Sequence, residues 1–281
     1  MENSAGVLVW AALAVLIELS QYLSLASPRM RALWTRPWLV AMAPVSFLVY
    51  TVPMGTFQLR PLIILLALAA AAAYWFAVFP KTTWSQVLYL TLIAIPLVFK
   101  IFPLLYPRAA DIRLDILGHL IWIRVSVITL LRDIQPEGVN FGFWPNRREW
   151  LAGLTGFLLL IPAVFPVAYL LGAATYTTPP WTWQETALRA AGTFFGILWV
   201  TALSEQFYFR GFLDRWLTPI GSAVVFGLVH LPYRGFPNYG FAAAAAVTGY
   251  FYYLAFRRGQ GLRAAMVAHA LTVMVFKTLF R

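Results

Sequence analysis

Residues 204–215 read SEQFYFRGFLDR, which places four charged side chains inside a long apolar segment. Ionisable side chains are costly in a bilayer, and where they occur there they mark functional sites. In a helix, Gln206, Arg210 and Asp214 follow one another at i, i+4 spacing and share a face. Glu205 lies about 100° round the axis from Gln206. The spacing predicts a polar row along one face of a helix and a carboxylate directed elsewhere.

The composition indicates a membrane protein. Of the 281 residues, 61% are hydrophobic and 11% are charged, and the mean hydropathy is +0.74. Soluble domains carry about 25% charged residues. The sequence therefore predicts an all-α, polytopic transmembrane helix bundle with about 8–10 membrane-embedded helices, in the plasma membrane. The chain has no cysteine, which excludes disulfides and thiolate metal ligands.

The net charge of +11 has a topological interpretation. Lys and Arg collect in loops that face the cytoplasm and anionic lipid, so the expected partner is the lipid bilayer and not nucleic acid. Apolar runs predict the helices of the bundle. They cover residues 7–26, 38–53, 61–79, 87–106, 151–171, 185–217, 240–256 and 262–280, with a shorter helix at 219–231.

Two polar features of the first half leave alternatives open. Glu18 is either a polar contact facing the bundle or a residue near the lipid interface. The segment 111–132 is either an amphipathic helix in the interface or a span with its polar residues turned inward. A loop rich in Gly, Pro and Asn at 133–149 predicts a boundary. It separates N-terminal transmembrane helices of unassigned role, 1–146, from a catalytic helix bundle, 147–281.

Two of the three histidines lie in apolar segments of the second half. At about 1.5 Å per residue, Glu205 lies roughly 8–15 Å from the basic end of its helix, His230 roughly 17 Å from the start of its own, and His269 roughly 9–12 Å from the Arg263 loop. If these ends are all cytoplasmic, the three groups share one buried layer near that face. His119 is left out of the site, because an interfacial helix needs no catalytic reason to carry a histidine.

One carboxylate and two imidazoles in such a layer suit hydrolysis. A carboxylate beside an imidazole can deprotonate a water, and a second imidazole can donate to a developing oxyanion. A serine nucleophile is disfavoured because the sequence has no G-x-S-x-G. Glu205, His230 and His269 could also serve as a set of zinc ligands. A zinc site ranks behind the metal-free mechanism because the sequence lacks H-E-x-x-H. We therefore predict no metal and no cofactor.

Three motifs resemble those of the CAAX-protease and bacteriocin-processing family, whose members are glutamate-type intramembrane endopeptidases. The family's Glu-Glu-x-x-x-Arg corresponds to EQFYFR at 205–210, and its Phe-x-x-x-His corresponds to FGLVH at 226–230. Its His-x-x-x-Asn/Asp is matched at His269 but not at Val273. The resemblance covers residues 185–281.

The resemblance implies a role for each matched residue. Glu205 is the general base on water, and His230 is its partner on that water. His269 is an oxyanion donor. Arg210 and Phe226 support the site structurally. The implied function is an endopeptidase that hydrolyses a peptide bond near the cytoplasmic membrane face, with a protein or peptide substrate in or at the membrane.

Two positions depart from the family pattern. Gln206 replaces the second Glu and cannot neutralise Arg210, so Asp214 is the expected counter-charge. Val273 removes the polar side chain expected one turn after His269, which in other enzymes costs on the order of 10²–10³ in rate. A catalytically inactive membrane scaffold or immunity-type binding protein of the same fold therefore remains an alternative, as does a zinc-dependent intramembrane hydrolase.

Overall fold

A computed structural model describes residues 4–107, 112–136, 139 and 141–280. Its secondary structure is helical, which confirms the all-α prediction. Within the described residues, five helices are long and apolar enough to cross a membrane. The protein is therefore a multi-pass integral membrane protein. The five helices are Gly6–Ala26, Leu59–Val78, Arg147–Leu170, Trp183–Trp216 and Leu262–Leu279.

The chain divides into two compact units, Met1–Gln135 and Pro136–Arg281. The functional boundary predicted at 146/147 stays a prediction. Residues 137, 138 and 140 of the predicted loop, and Asp111 of the predicted 111–132 helix, lie outside the described residues.

Unit 1 consists of helices of uneven length. They are α1 (Ser4–Leu23) with a 3-10 turn (Ser24–Ala26), α2 (Pro28–Ala32), α3 (Arg36–Met42), α4 (Val45–Thr51), α5 (Leu59–Val78), α6 (Thr83–Val98), α7 (Ile101–Leu105) and α8 (Asp115–Asp133).

Two of the predicted spans in unit 1 are broken, and the single helices expected there are wrong. The 38–53 span is divided between α3 and α4 at Ala43 and Pro44, where proline lacks the N–H that a continuous helix needs. The 87–106 span is divided between α6 and α7 at Lys100, whose φ of 51° is left-handed.

A buried ion pair resolves both open alternatives of the first half. Arg124 of α8 lies 3.1 Å from Glu18 of α1, and both side chains are fully buried. The Ser46 hydroxyl also donates to this carboxylate at 3.4 Å. Glu18 is thus the bundle-facing contact. Because α8 is buried on nearly all its faces between Leu117 and Leu130, it is the helix with inward polar residues and not the interfacial one.

The described residues of unit 2 form five helical segments. They are α9 (Arg147–Leu170), a long helix (Trp183–Trp216), α13 (Pro219–Leu228), α14 (Tyr239–Gly259) and α15 (Leu262–Leu279). The long helix consists of α10 (Trp183–Gly196), α11 (Ala202–Tyr208) and α12 (Asp214–Trp216), together with the segments between them.

The start of α9 is joined to the start of α15. Asn146 and Glu149 form a capping box, in which each side chain bonds the other residue's backbone N–H. The Glu149 carboxylate also accepts from Arg263 at 3.0 Å, which ties the two helices together.

Small residues bring the helices of unit 2 close to each other. A Cβ added at Gly227 of α13 would lie 2.5 Å from the Ala242 carbonyl of α14. Membrane helices approach closely in this way where small residues meet. The core of the unit is formed mainly by α9, α14 and α15, and it surrounds the region where the histidines lie.

Candidate active site

Two π-helical segments flank the part of the long helix that carries the acidic motif. They are Ile197–Thr201 and Phe209–Leu213, and α11 lies between them. A π-helical turn closes i→i+5 hydrogen bonds, and such turns often occur at functional sites. In this structure they set the rotational phase of Glu205 and Gln206 relative to both ends of the helix.

Arg210 is a buried guanidinium at the centre of a hydrogen-bond network. It donates to Gln206 Oε1 at 3.2 Å and to both Asp214 oxygens at 2.9 and 3.1 Å. It also donates to the Ser222 hydroxyl at 3.4 Å and to the Gly249 carbonyl at 2.9 Å. Asp214 thus forms the ion pair expected from the spacing. The network joins the long helix to α13 and α14. A buried charge is stable only when its hydrogen bonds are satisfied, and these partners satisfy those of Arg210.

His269 of α15 is held by a hydrogen bond at one ring nitrogen and by stacking on the ring face. Its Nδ1 lies 3.0 Å from the Gln206 amide nitrogen, and its Nε2 lies 3.9 Å from Glu205 Oε2. Tyr252 stacks on the imidazole with ring centroids 4.7 Å apart and an interplanar angle of 18°. Sequence reasoning missed Tyr252, because aromatic residues are common throughout its helix and nothing in the pattern distinguishes this one.

His230 follows α13 and is oriented by its own helix. Its Nδ1 donates to the Phe226 carbonyl at 2.7 Å, and the two rings are 4.7 Å apart. The Phe226 ring also lies 6.1 Å from that of His269. The phenyl ring therefore contacts both imidazoles, which gives the expected supporting residue a definite position between them.

Both histidines line a cavity of about 100 Å³. One water needs about 10–15 Å³ of such volume, so the space is ample for a water and a substrate group. Tyr252, Thr272 and Val273 also line the cavity, and Glu205 does not. The rest of the wall is almost wholly apolar and comprises Val164, Phe165, Ala168, Ala173, Ala174, Phe226, Phe241, Ala244, Ala245, Thr248 and Phe276.

Glu205 has one solvent-accessible side and one buried oxygen. Its side chain is 30% exposed, yet Oε2 is buried and, within the described part of the chain, has no hydrogen-bond partner. The 3.9 Å separation from His269 Nε2 is too long for a direct hydrogen bond. The lone pairs of this buried oxygen are therefore free to accept a hydrogen bond from a ligand or a water.

The remaining polar residues considered from the sequence have local partners. The Ser204 hydroxyl donates to the Val200 and Thr201 carbonyls of its own helix at 2.9 and 3.0 Å. His119 lies in unit 1, with Nδ1 2.9 Å from the Asp115 carbonyl. Among the described residues, no group of three His, Asp or Glu side chains is placed to hold a metal ion.

Comparison with protein families matches residues 187–275 to the family described as Type II CAAX prenyl endopeptidase Rce1-like. The matched segment includes Glu205, His230 and His269. The resemblance read from the motifs is confirmed over this segment, which is less than half of the chain. No curated protein and no solved structure gave a match.

Proposed function

We propose, from the premise that residues 187–275 form an Rce1-like domain, that this protein is an intramembrane endopeptidase acting near the cytoplasmic face of the plasma membrane. The observation that supports this most directly is the buried Oε2 of Glu205. It lacks a hydrogen-bond partner among the described residues and faces His269 Nε2 at 3.9 Å. A carboxylate oxygen with free lone pairs next to an imidazole can take a proton from a water bound beside it.

Each of the three groups has one task in hydrolysis. Glu205 takes a proton from water, and His230 Nε2 accepts a hydrogen bond from that water, since Nδ1 already donates to the Phe226 carbonyl. The hydroxide adds to the scissile carbonyl carbon, and His269 donates to the oxyanion that forms. The C–N bond then breaks, and Glu205 returns its proton to the leaving amine. The cycle consumes one water and needs no cofactor.

The substrate class follows from the cavity wall. A cavity of about 150 Å³ lined by aliphatic side chains holds a benzene ring, so the smaller volume here suits one aliphatic side chain. Because His230 and His269 line the same cavity, that side chain flanks the scissile bond. The substrate is therefore a peptide or protein segment in or at the membrane, with an aliphatic residue beside the cleaved bond.

The test uses purified full-length protein in liposomes. A quenched fluorescent peptide carries a farnesylated cysteine followed by three residues, two of them aliphatic, and a second peptide lacks the farnesyl group. Glu205→Gln keeps the side-chain volume and removes the proton acceptor, so we expect cleavage to fall on the order of 10²–10⁴-fold. Comparison of the two peptides shows whether the substrate must be prenylated.

Glu185→Gln is the matched control, because it makes the same change in the same long helix. Glu185 belongs to a capping box with Thr182, in which glutamine is also accepted. We expect this variant to cleave at the wild-type rate. Unchanged cleavage by Glu205→Gln would reject the mechanism. Loss of activity to a chelator, together with one zinc per chain, would favour the zinc-dependent alternative.

A second function is supported by the two departures from the family motifs. Val273 puts an apolar side chain on the cavity wall where the family has a donor, and Gln206 replaces a carboxylate. A scaffold or immunity-type binding protein that kept the fold and lost catalysis would carry such changes. That protein would cleave neither peptide, with or without Glu205.

A further inference from the structure

The amide of Gln206 has only one orientation that satisfies both of its neighbours. Its Oε1 accepts from Arg210 Nε at 3.2 Å. A guanidinium can only donate, so the oxygen must face it. The NH₂ group is then directed at His269 Nδ1, 3.0 Å away. Arg210 is itself held by Asp214 and the Gly249 carbonyl, so the orientation of the amide is fixed from outside the site.

An NH₂ group donates and cannot accept, so the nitrogen that it faces must carry a lone pair. The other ring nitrogen of a neutral imidazole then carries the proton. We infer that Gln206 is a positioning residue that holds His269 in the Nε2–H tautomer. This inference rests on the proposed function for its catalytic meaning, because Nε2–H is the donor that the oxyanion needs.

His230 is held in the opposite tautomer. Its Nδ1 donates to the Phe226 carbonyl, so its Nε2 carries a lone pair. The two imidazoles that line the cavity thus carry unlike groups on Nε2, one an acceptor for water and one a donor for the oxyanion. His119 has the same kind of partner as His230, the carbonyl of Asp115 at 2.9 Å.

The departure from the family motif at position 206 acquires a chemical meaning. A carboxylate there would accept from Nδ1–H of His269, and the neutral ring would then carry a lone pair on Nε2. Only the protonated ring could donate to an oxyanion. With glutamine, the neutral ring donates. The groups that face His269 are Glu205 and Gln206 of the long helix, His230, and the ring of Tyr252, with Arg210 behind the glutamine.

The first test is ¹⁵N NMR of histidine-labelled protein in lipid, because the chemical shift distinguishes a protonated ring nitrogen from a bare one. With three histidines in the chain, each can be assigned by single substitution. We expect His269 alone to be Nε2–H, and His230 and His119 to be Nδ1–H. In Gln206→Glu, His269 should become Nδ1–H or fully protonated, while the other two keep their tautomers. An Nδ1–H His269 in the wild-type protein would overturn the inference.

The second test is the pH profile of cleavage of the same quenched peptide. At low pH, where the His269 imidazolium still donates, Gln206→Glu should cleave at a rate close to that of the wild type at the same pH. As the pH rises and Nε2 loses its proton, the rate should fall on the order of 10²–10³-fold below the wild type, the usual effect of one lost oxyanion donor. Gln260→Glu, the same change at an exposed position, should follow the wild-type profile. Identical profiles for Gln206→Glu and wild type would also overturn the inference.

The two tests separate this inference from the proposed function. The NMR measurement needs no cleavage. A protein that cleaves no peptide but shows Nε2–H at His269 refutes the endopeptidase and keeps the tautomer assignment. A protein that cleaves with His269 in the Nδ1–H form keeps the endopeptidase and refutes the role of Gln206.

Discussion

Val273→Asn tests whether the protein is an endopeptidase working without one of its donors. Val273 lies one turn after His269 on α15, and both side chains line the cavity. An asparagine side chain of similar size at this position therefore reaches the same space as the His269 ring. Its NH₂ group can donate to the oxyanion. We expect the turnover of the variant to exceed that of the wild type.

Two magnitudes are expected for Val273→Asn, a gain in turnover and a loss of unfolding free energy. One oxyanion donor is worth about 10²–10³ in turnover, which is the upper limit of the gain. The cavity wall around position 273 is almost wholly apolar, so the new amide has few partners until a substrate binds. An unsatisfied buried polar group costs about 1–3 kcal/mol of unfolding free energy. The variant should be faster and less stable at once.

The assay measures both quantities on the same preparations. Cleavage of the quenched peptide in liposomes gives turnover, and intrinsic tryptophan fluorescence on heating gives the unfolding midpoint. Val273→Ala is the control, because it removes apolar contacts and adds no donor. It should lose stability without any gain in rate. A Val273→Asn protein that is less stable and no faster would refute the reasoning and favour a scaffold.

Two further predictions concern the supports of the site. Asp214→Asn leaves the fully buried Arg210 side chain without its carboxylate, so we expect the unfolding free energy to fall by about 3–5 kcal/mol. The same change at Asp115 is the control. Its partner Arg113 is 83% exposed, so this variant should lose less than about 1 kcal/mol. Thermal unfolding of the two variants checks this, and equal losses would contradict it. Gly227→Ala places a methyl group 2.5 Å from the Ala242 carbonyl, so α13 must move and carry the following imidazole with it. We expect the activation free energy of cleavage to rise by more than the unfolding free energy falls. Turnover at the wild-type rate would show that the position of α13 is not critical.

The hydrogen bonds around Arg210 could be predicted from the sequence because they depend on local spacing. The i, i+4 rule places Gln206, Arg210 and Asp214 on one face, and the contacts among them are present. The sequence predicts Glu205, His230 and His269 in one layer. The Glu205 and His269 side chains lie 3.9 Å apart, and both imidazoles line one cavity. Such patterns are readable because each residue's partner is one helical turn away or belongs to a familiar motif.

Other features could not be predicted because they depend on long-range packing. Glu18 and Arg124 are 106 residues apart, and no local rule pairs them. Tyr252, and not another aromatic residue of α14, stacks on His269 because of how α14 is rotated about its axis relative to α15. The amino-acid composition of the π-helical segments does not distinguish them from the α-helical residues around them. The break at Pro44 has a local signal in the proline itself, which lacks an N–H, but the apolar residues on both sides of it have the composition of a single span.

The two π-helical segments determine where the long helix can change its length. Each of them, Ile197–Thr201 and Phe209–Leu213, accommodates a wider turn than an α-helix does. A π-helical turn holds about one residue more than an α-helical turn, so deleting one residue from the first segment would let it close as an ordinary α-helix and leave the direction of Glu205 relative to α10 nearly unchanged. The same deletion within the α-helical residues of α10, or of α11 ahead of Glu205, would turn Glu205 by about 100°. The two π-helical segments are therefore the places where this helix can lose a residue without turning the carboxylate away from the site.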